Sequence, residues 1–128
     1  MELSQYIKDK LVSEKRVAMP IMTHPGIELL GKRVLDAVTN GEIHYHAIRA
    51  LNECFPQSVA CTTIMDLTVE AEAFGAQLSM SPNEVPSVSG RLLAGYADVE
   101  ALQVPSLESG RVPQYLQADR LASKGIDK

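Results

Sequence analysis

The sequence predicts an α/β fold built on a parallel sheet, of which these 128 residues form the N-terminal portion. Helical and strand-like segments follow one another in the order helix, strand, helices, strand, helix, helix, which is typical of βαβ units. Only about two segments have the composition of a core strand, and two strands neither close a sheet nor cover the helices beside them. We therefore expect one partial domain over residues 1–128, with about two parallel core strands and flanking helices, that stops before a third strand.

The first predicted elements are a helix and a strand. Apolar residues at helical spacing predict an amphipathic helix over residues 3–12. Residues 16–22 (RVAMPIM) form a short apolar run that predicts a strand, interrupted at Pro20 because proline cannot donate to a ladder. His24 precedes a proline, so we expect it to be extended and outside any helix.

Two helices are predicted before the second strand. Residues 27–40 (IELLGKRVLDAVTN) have a helical pattern that contains Gly31. Residues 41–55 predict the clearest helix of the sequence, which Pro56 ends. The apolar stripe of this helix consists of Ile43, Ala47, Ala50, Leu51 and Cys54.

The second strand leads into a short helix. Residues 58–65 (SVACTTIM) are apolar and rich in β-branched residues, as in a strand that is buried on both faces of a parallel sheet. Residues 68–75 (TVEAEAFG) predict about two helical turns, ended by the final glycine. Residues 76–80 (AQLSM) predict a short strand with Leu78 and Met80 on one face.

The C-terminal third predicts a loop and two helices. Residues 81–95 are loop-like, with two prolines and glycines. Residues 96–102 (YADVEAL) predict a short helix. Residues 113–125 (PQYLQADRLASKG) predict the last helix together with its end signal, with Pro113 in the first turn and Gly125 as the residue just after the end.

The composition is that of a globular protein and excludes several partner classes. Hydrophobic residues make up 45% and charged residues 22% of the chain, and the formal net charge is −4. Its basic residues are scattered, so a nucleic-acid partner, which needs a clustered basic face, is not expected. The N-terminal residues have neither the apolar core of a signal peptide nor an apolar membrane span, which favours a cytoplasmic protein with no membrane partner.

The cysteines and the paired histidines do not predict a metal site. Cys54 and Cys61 are expected to be reduced thiols, and a metal site would need further ligands close to them in sequence. His44 and His46 are two residues apart in a predicted helix, so they point to different sides and cannot chelate one metal together. We treat both histidines as surface or packing residues.

Asp66 is the candidate catalytic residue, because it ends the predicted strand just before a helix. Ligands of α/β folds bind at this edge of the sheet. A carboxylate there can accept hydrogen bonds from ligand N–H groups or stabilise a developing cation. The alternative is an N-cap for the helix that follows, unless Thr68 caps that helix instead and leaves Asp66 available.

Three other residues are candidates for binding a substrate. His24 follows the first strand and could donate a proton or contact a substrate, although a loop histidine bonded to backbone is more common. Glu70 lies in the first turn of the helix after Asp66, where the helix dipole also favours acids, and Glu72 diverges from it. Met22 lies beside His24, although methionines more often fill gaps in a core.

One segment carries a family resemblance. Residues 58–80 (SVACTTIMDLTVEAEAFGAQLSM), followed by a proline-marked loop and VPS, resemble the front half of the uroporphyrinogen decarboxylase superfamily. In that family a buried strand ends in an aspartate, and a short helix leads to a G-(A/M)-x-(V/L) pattern. Residues 16–31 lie where the first strand and the active-site loop of the family are expected, and the resemblance extends over about residues 16–125. It implies the N-terminal part of a (β/α)8 TIM-type barrel, with Asp66 pointing into the mouth of the barrel.

The decarboxylase branch of this superfamily fits in part. Its members hold the acidic side chains of a porphyrinogen with arginines in the loop after the first strand, and their aspartate contacts the pyrrole N–H groups. Asp66 matches that aspartate. The arginines have no match, since the sequence has none between Arg16 and Arg33. Substrate carboxylates would therefore be poorly neutralised.

The corrinoid-dependent methyltransferase branch fits better. The phrase TVEAEAFGA, residues 68–76, is familiar in this branch, and a histidine in the first loop is normal there. The resemblance implies a corrinoid partner protein, a small-molecule substrate and, for the thiol-activating members, a zinc ion. The zinc ligands lie in the C-terminal half of the family, so this chain is expected to bind no cofactor and to be inactive alone.

Three interpretations of the sequence stay open. The first is the N-terminal part of a corrinoid-dependent methyltransferase. The second is part of a decarboxylase-like enzyme of tetrapyrrole biosynthesis. The third is a non-catalytic assembly or binding module, which would cover its open sheet edge by forming a homodimer.

Overall fold

A computed structural model describes residues 3–127, apart from the side chain of Leu3. Within this range the chain is rich in helix and has one small sheet. The helices are α1 (Leu3–Leu11), α2 (His24–Leu29), α3 (Val34–Thr39), α4 (Gly41–Cys54), α5 (Thr68–Ala73), α6 (Tyr96–Ala101) and α7 (Val112–Gly125). The strands are β1 (Leu78–Ser79) and β2 (Ser87–Val88). None of the helices in the described range is both long and apolar enough to cross a membrane.

Helix α4 is the centre of the fold, because α2, α3 and α7 all pack against it. The core cluster is formed by apolar side chains of α2, α3 and α4 and of the segment before Asp66, namely Ile27, Val34, Ala37, Val38, Ala47 and Ile64. The approach of α2 to α4 depends on Gly26, since a Cβ atom there would lie 2.1 Å from the carbonyl oxygen of Ala47. The predicted helix over 41–55 is therefore confirmed as α4 and forms the platform for the site.

The two predicted parallel core strands are not confirmed. Residues 16–22 and 58–65 are not assigned as strands. They lie beside each other, with the Val59 N–H donating to the Ala18 carbonyl at 3.2 Å. Pro20 cannot donate to a partner, which removes one rung of any ladder between them.

The sheet that does form is antiparallel. Leu78 pairs with Val88 and Ser79 with Ser87. The predicted strand over 76–80 is therefore confirmed in its centre, as β1. Its partner β2 lies in the segment that the sequence predicts as loop. Two-residue strands carry too little periodicity to be seen in a sequence.

The region 24–40 differs from the prediction in two ways. The single helix predicted over 27–40 is wrong, because Gly31 (φ 62°) ends α2 in a left-handed conformation and α3 starts afresh. The Lys32 N–H donates to the Ile27 carbonyl at 3.1 Å, which satisfies an end carbonyl of α2. The expectation that His24 is outside any helix is also wrong, since His24 begins α2. Proline is tolerated in a first helical turn, and this overrides the extended preference of the residue before it.

The remaining helices agree with the prediction. Helix α1 lies within the predicted range 3–12, and α5 and α6 lie where short helices are expected. Helix α7 includes Gly125 instead of ending before it. A Cβ atom at Gly125 would lie 2.2 Å from the hydroxyl oxygen of Tyr45, so glycine is needed there for space.

Candidate functional site

Asp66 directly follows the segment 58–65, and its first carboxylate oxygen faces the start of α5. Oδ1 accepts hydrogen bonds from the Thr68 backbone N–H at 2.9 Å and from the Thr68 hydroxyl at 2.6 Å. The N–H belongs to the first turn of α5, whose amides have no partner inside the helix. Asp66 therefore stabilises the start of α5 from one position before its N-cap residue, Leu67, so it is not itself the N-cap that the alternative expects.

The second carboxylate oxygen of Asp66 binds the start of α7, which is distant in sequence. Oδ2 accepts from Arg111 Nη1 at 2.5 Å and from the Tyr115 hydroxyl at 2.8 Å. Arg111 precedes α7 and Tyr115 is in its first turns, so one helix start delivers both donors. The side chain of Asp66 is fully buried. Two donors on each oxygen fill the acceptor capacity of the carboxylate.

Arg111 connects three acceptors through its guanidinium. Besides Asp66, it donates from Nη2 to the Thr68 hydroxyl at 2.7 Å and from Nε to Glu72 Oε2 at 2.7 Å. Its backbone N–H also donates to the same Glu72 oxygen at 3.3 Å. Five residues thus form one polar network, which we call the Asp66 cluster: the buried Asp66, Thr68 and Arg111 and the half-buried Glu72 and Tyr115.

The cluster fixes the charge of its members. Burial alone would raise the pKa of Asp66, but the hydrogen bonds from Arg111, Thr68 and Tyr115 outweigh burial and hold that pKa below its ordinary value. Burial and the neighbouring Asp66 carboxylate raise the pKa of Tyr115. At neutral pH Asp66 is therefore an anion and Tyr115 a neutral hydrogen-bond donor.

His44 of α4 supports the segment that carries Asp66. Its Nε2 accepts the Ile64 backbone N–H at 3.0 Å, and its ring meets the Tyr115 ring edge-on, with centroids 5.0 Å apart. Burial lowers the pKa of His44 to about 4, although the Asp66 charge acts in the opposite direction. The imidazole is therefore neutral, with its proton on Nδ1. Among the described residues this Nδ1 has no hydrogen-bond partner.

The other predicted site residues do not join the Asp66 cluster. His24 and Glu70 are exposed, and within residues 3–127 neither bonds to Asp66. Met22 is half-buried and lines a cavity of about 20 Å³ together with Asn52 and Thr62, which is room for about one water molecule. The roles of Met22, His24 and Glu70 as substrate-binding residues stay predictions.

Sequence reasoning missed most of the cluster. Arg111 and Tyr115 carry no motif, and their contact with Asp66 spans more than forty positions. Glu72 rather than Glu70 is the acid that contacts the cluster. The assignment of His44 as a packing residue holds in that it is buried, but its hydrogen bond to Ile64 was not foreseen. The sole local signal is the proline in the first turn of α7, which marks the helix start but not its partner.

The metal-ligating side chains are dispersed. Within residues 3–127 no group of three or more His, Cys, Asp or Glu residues is arranged to hold a metal ion. Cys54 is exposed, Cys61 is half-buried, and no disulfide joins them.

Comparison with known proteins gives the family. The model of the uroporphyrinogen decarboxylase (URO-D) family matches residues 16–128, which is most of the chain. The chain belongs to the uroporphyrinogen decarboxylase family. The comparison with curated proteins gives no match.

The solved structure of a methyltransferase is similar to this chain. A methyltransferase from Methanosarcina mazei is similar to 93% of this chain, with a TM-score of 0.75 and 26% sequence identity. The match covers 36% of the methyltransferase, so the chain spans about a third of the length of that protein. The helix-rich architecture with its small antiparallel sheet therefore resembles part of a methyltransferase structure.

Proposed function

We propose that this chain supplies the N-terminal part of an enzyme that transfers a methyl group between a corrinoid protein and a small acceptor. The observation that carries the proposal is the match to the Methanosarcina mazei methyltransferase, which extends over 93% of the chain. The resemblance of residues 68–76 to the methyltransferase branch of the superfamily supports the same assignment. In this proposal the remaining part of the site is provided by residues beyond these 128.

The hydrogen bonds that Arg111 makes within the chain favour methyl transfer over decarboxylation of a polyacidic substrate. A porphyrinogen decarboxylase needs cations that can bind substrate carboxylates. Arg111 is the guanidinium nearest to Asp66, and its Nε, Nη1 and Nη2 donate to acceptors of the chain itself. The segment 17–32 contains no arginine. The described residues around Asp66 therefore offer little positive charge that could neutralise the carboxylates of an acidic substrate.

Asp66 is the proposed catalytic residue. The four groups that donate hydrogen bonds to its carboxylate limit how a substrate can contact it. To contact the carboxylate, a substrate must replace one of them. The Tyr115 hydroxyl is less costly to replace than Arg111, because a hydrogen bond from an uncharged donor to a charged group contributes about 1.5–3 kcal/mol, whereas breaking a buried ion pair costs about 3–5 kcal/mol. In this proposal the substrate also contacts Met22, His24 and Glu70, which lie in the sequence at or just after the ends of the segments 16–22 and 58–65.

The zinc ion that thiol-activating methyltransferases use is not assigned to this chain. In the described part its five histidine and cysteine side chains form no group of three or more with each other or with acids. These residues therefore do not fit a zinc site, and we derive no step through the metal. The contribution that we propose for this chain is the fixed negative charge of Asp66 and the surface around it.

The test compares two reactions on the native protein that contains this sequence, purified from its source cells. Methylcobalamin and a thiol are supplied, and loss of the methyl–cobalt bond is followed by visible absorbance. Uroporphyrinogen is supplied in parallel, and decarboxylated products are separated by chromatography. We expect loss of the methyl–cobalt bond that depends on the thiol, and no decarboxylation. Decarboxylation without methyl transfer would establish the second alternative, and absence of both reactions would favour the assembly module.

A further inference from the structure

We infer that Arg111 is a positioning residue for Asp66, and that its place at the N-cap of α7 makes the start of this helix part of the proposed site. The inference rests on the proposed function and deepens it. No sequence motif points to Arg111, and the observations that carry it are its burial, its three side-chain partners and the charge of the cluster it completes.

The geometry requires a guanidinium. Arg111 is only 6% exposed, so its charge is compensated by protein groups rather than by water. Its Nη1 and Nη2 face Asp66 Oδ2 and Thr68 Oγ1, and Thr68 Oγ1 in turn donates to Asp66 Oδ1. The carboxylate is therefore held at both oxygens, directly and through Thr68. A lysine ammonium is a single point charge and cannot reproduce this planar fork.

The charge of the cluster limits the substrate class. Two carboxylates share one guanidinium, which leaves a formal charge of −1; the Asp66 side chain is fully buried, and the Glu72 side chain is 27% exposed. A group next to this cluster is favoured if it is neutral or becomes positive, and a polyanionic group is disfavoured. The net negative charge that remains beside Arg111 thus favours an acceptor that is uncharged or gains positive charge during the reaction, and disfavours an acidic one.

The ion pair could instead serve only to join α5 and α7, so the test needs a signal that stability alone does not change. The variants are Arg111→Met and Arg111→Lys. The matched control is Arg49→Met, because Arg49 also pairs with a carboxylate through Nε, at 2.8 Å from Glu53, but on the exposed surface of α4. Circular dichroism checks that each variant keeps its helices.

The first measurement uses the 128-residue chain and needs no activity. The carboxyl carbon of Asp66 is followed by ¹³C NMR while the pH is lowered. We expect Arg111→Met to raise the protonation midpoint of Asp66 by about 1 to 3 pH units, the size of effect that a neighbouring arginine has on an aspartate. Arg111→Lys should raise it less, and Arg49→Met should not change it. An unchanged midpoint in Arg111→Met overturns the inference, and if that variant does not fold, an unchanged midpoint in Arg111→Lys does so.

The second measurement is the pH profile of kcat/KM for methyl transfer by the native protein. Arg111→Met should shift the acid limb of the profile upwards by the same amount as the NMR midpoint, with partial rescue in Arg111→Lys. A uniform loss of activity with an unshifted limb would mean that Arg111 is only structural. If the wild-type protein transfers no methyl group, the proposed function fails, whereas the NMR titration still decides whether Arg111 sets the charge of Asp66.

Discussion

Lowering the pH should destabilise this chain through one buried histidine. His44 is fully buried, and its Nε2 accepts the Ile64 N–H at 3.0 Å, which requires a neutral imidazole. Protonation would place a second proton on Nε2, abolish this hydrogen bond and leave a charge in the core. Burial accordingly lowers the pKa of His44 from 6.5 to about 4 in the folded chain.

The size of the effect follows from proton linkage. Between pH 6.5 and pH 4 this histidine is protonated in the unfolded chain but stays neutral in the folded chain. The contribution of His44 to the free energy of unfolding is therefore complete above pH 6.5 and is lost as the pH falls towards 4. Between pH 7 and pH 5 the free energy of unfolding should fall by about 2 kcal/mol from this residue alone. Asp66 contributes in a lower window, since its folded pKa lies below 3.8.

The assay is urea unfolding of the 128-residue chain at pH 7 and at pH 5, followed by circular dichroism. In the variant His44→Gln the amide oxygen can still accept the Ile64 N–H but cannot titrate, so most of the pH-dependent loss should disappear. The control His46→Gln changes an exposed histidine of the same helix and should keep the wild-type loss. An equal loss of stability in wild-type and His44→Gln would refute the reasoning.

Three substitutions test the packing around the site by thermal or urea unfolding. Asp66→Asn should destabilise the chain by about 3 kcal/mol, because it leaves a buried guanidinium short of one anion, and a loss below about 1 kcal/mol would contradict this. Tyr115→Phe should cost about 1.5–3 kcal/mol, since it keeps the ring and removes one hydrogen bond to an ionised carboxylate, and an unchanged stability would show that the hydroxyl does not stabilise the cluster. Gly26→Ala should destabilise by about 1–3 kcal/mol, because the new methyl group would lie 2.1 Å from a backbone oxygen, whereas the control Gly95→Ala meets open space and should change little.

Local signals in the sequence predict the helices well. The apolar stripe of α4, the proline at the start of α7 and the glycine after α5 each act within one turn, and each element forms where these residues indicate. The prediction fails where the conformational preference of one residue competes with a stronger preference of a residue beside it. Gly31 ends a helix that the apolar pattern would continue, and His24 enters a helix because proline is favoured in a first turn.

Within the candidate site the sequence points to Asp66 but not to the partners that approach it from α7. Asp66 is recognisable because it ends an apolar segment and precedes a helix, and both features are local. Its partners Arg111 and Tyr115 approach from a helix that follows more than forty residues later, and nothing in their surroundings distinguishes them from solvated side chains. The same holds for His44, whose burial depends on the docking of α7 against α4. Such contacts are set by tertiary packing, which a single sequence does not display.

The most direct test of the account is the fate of an isotopically labelled methyl group. The native protein that contains this sequence is incubated with methylcobalamin carrying a deuterated methyl group and with a thiol acceptor, and the thiol is analysed by mass spectrometry. We predict that the thiol gains the deuterated methyl group with the wild-type protein and loses this gain with Asp66→Asn. An unlabelled thiol, together with loss of carboxyl groups from uroporphyrinogen when that substrate is supplied instead, would contradict this prediction and assign the protein to decarboxylation.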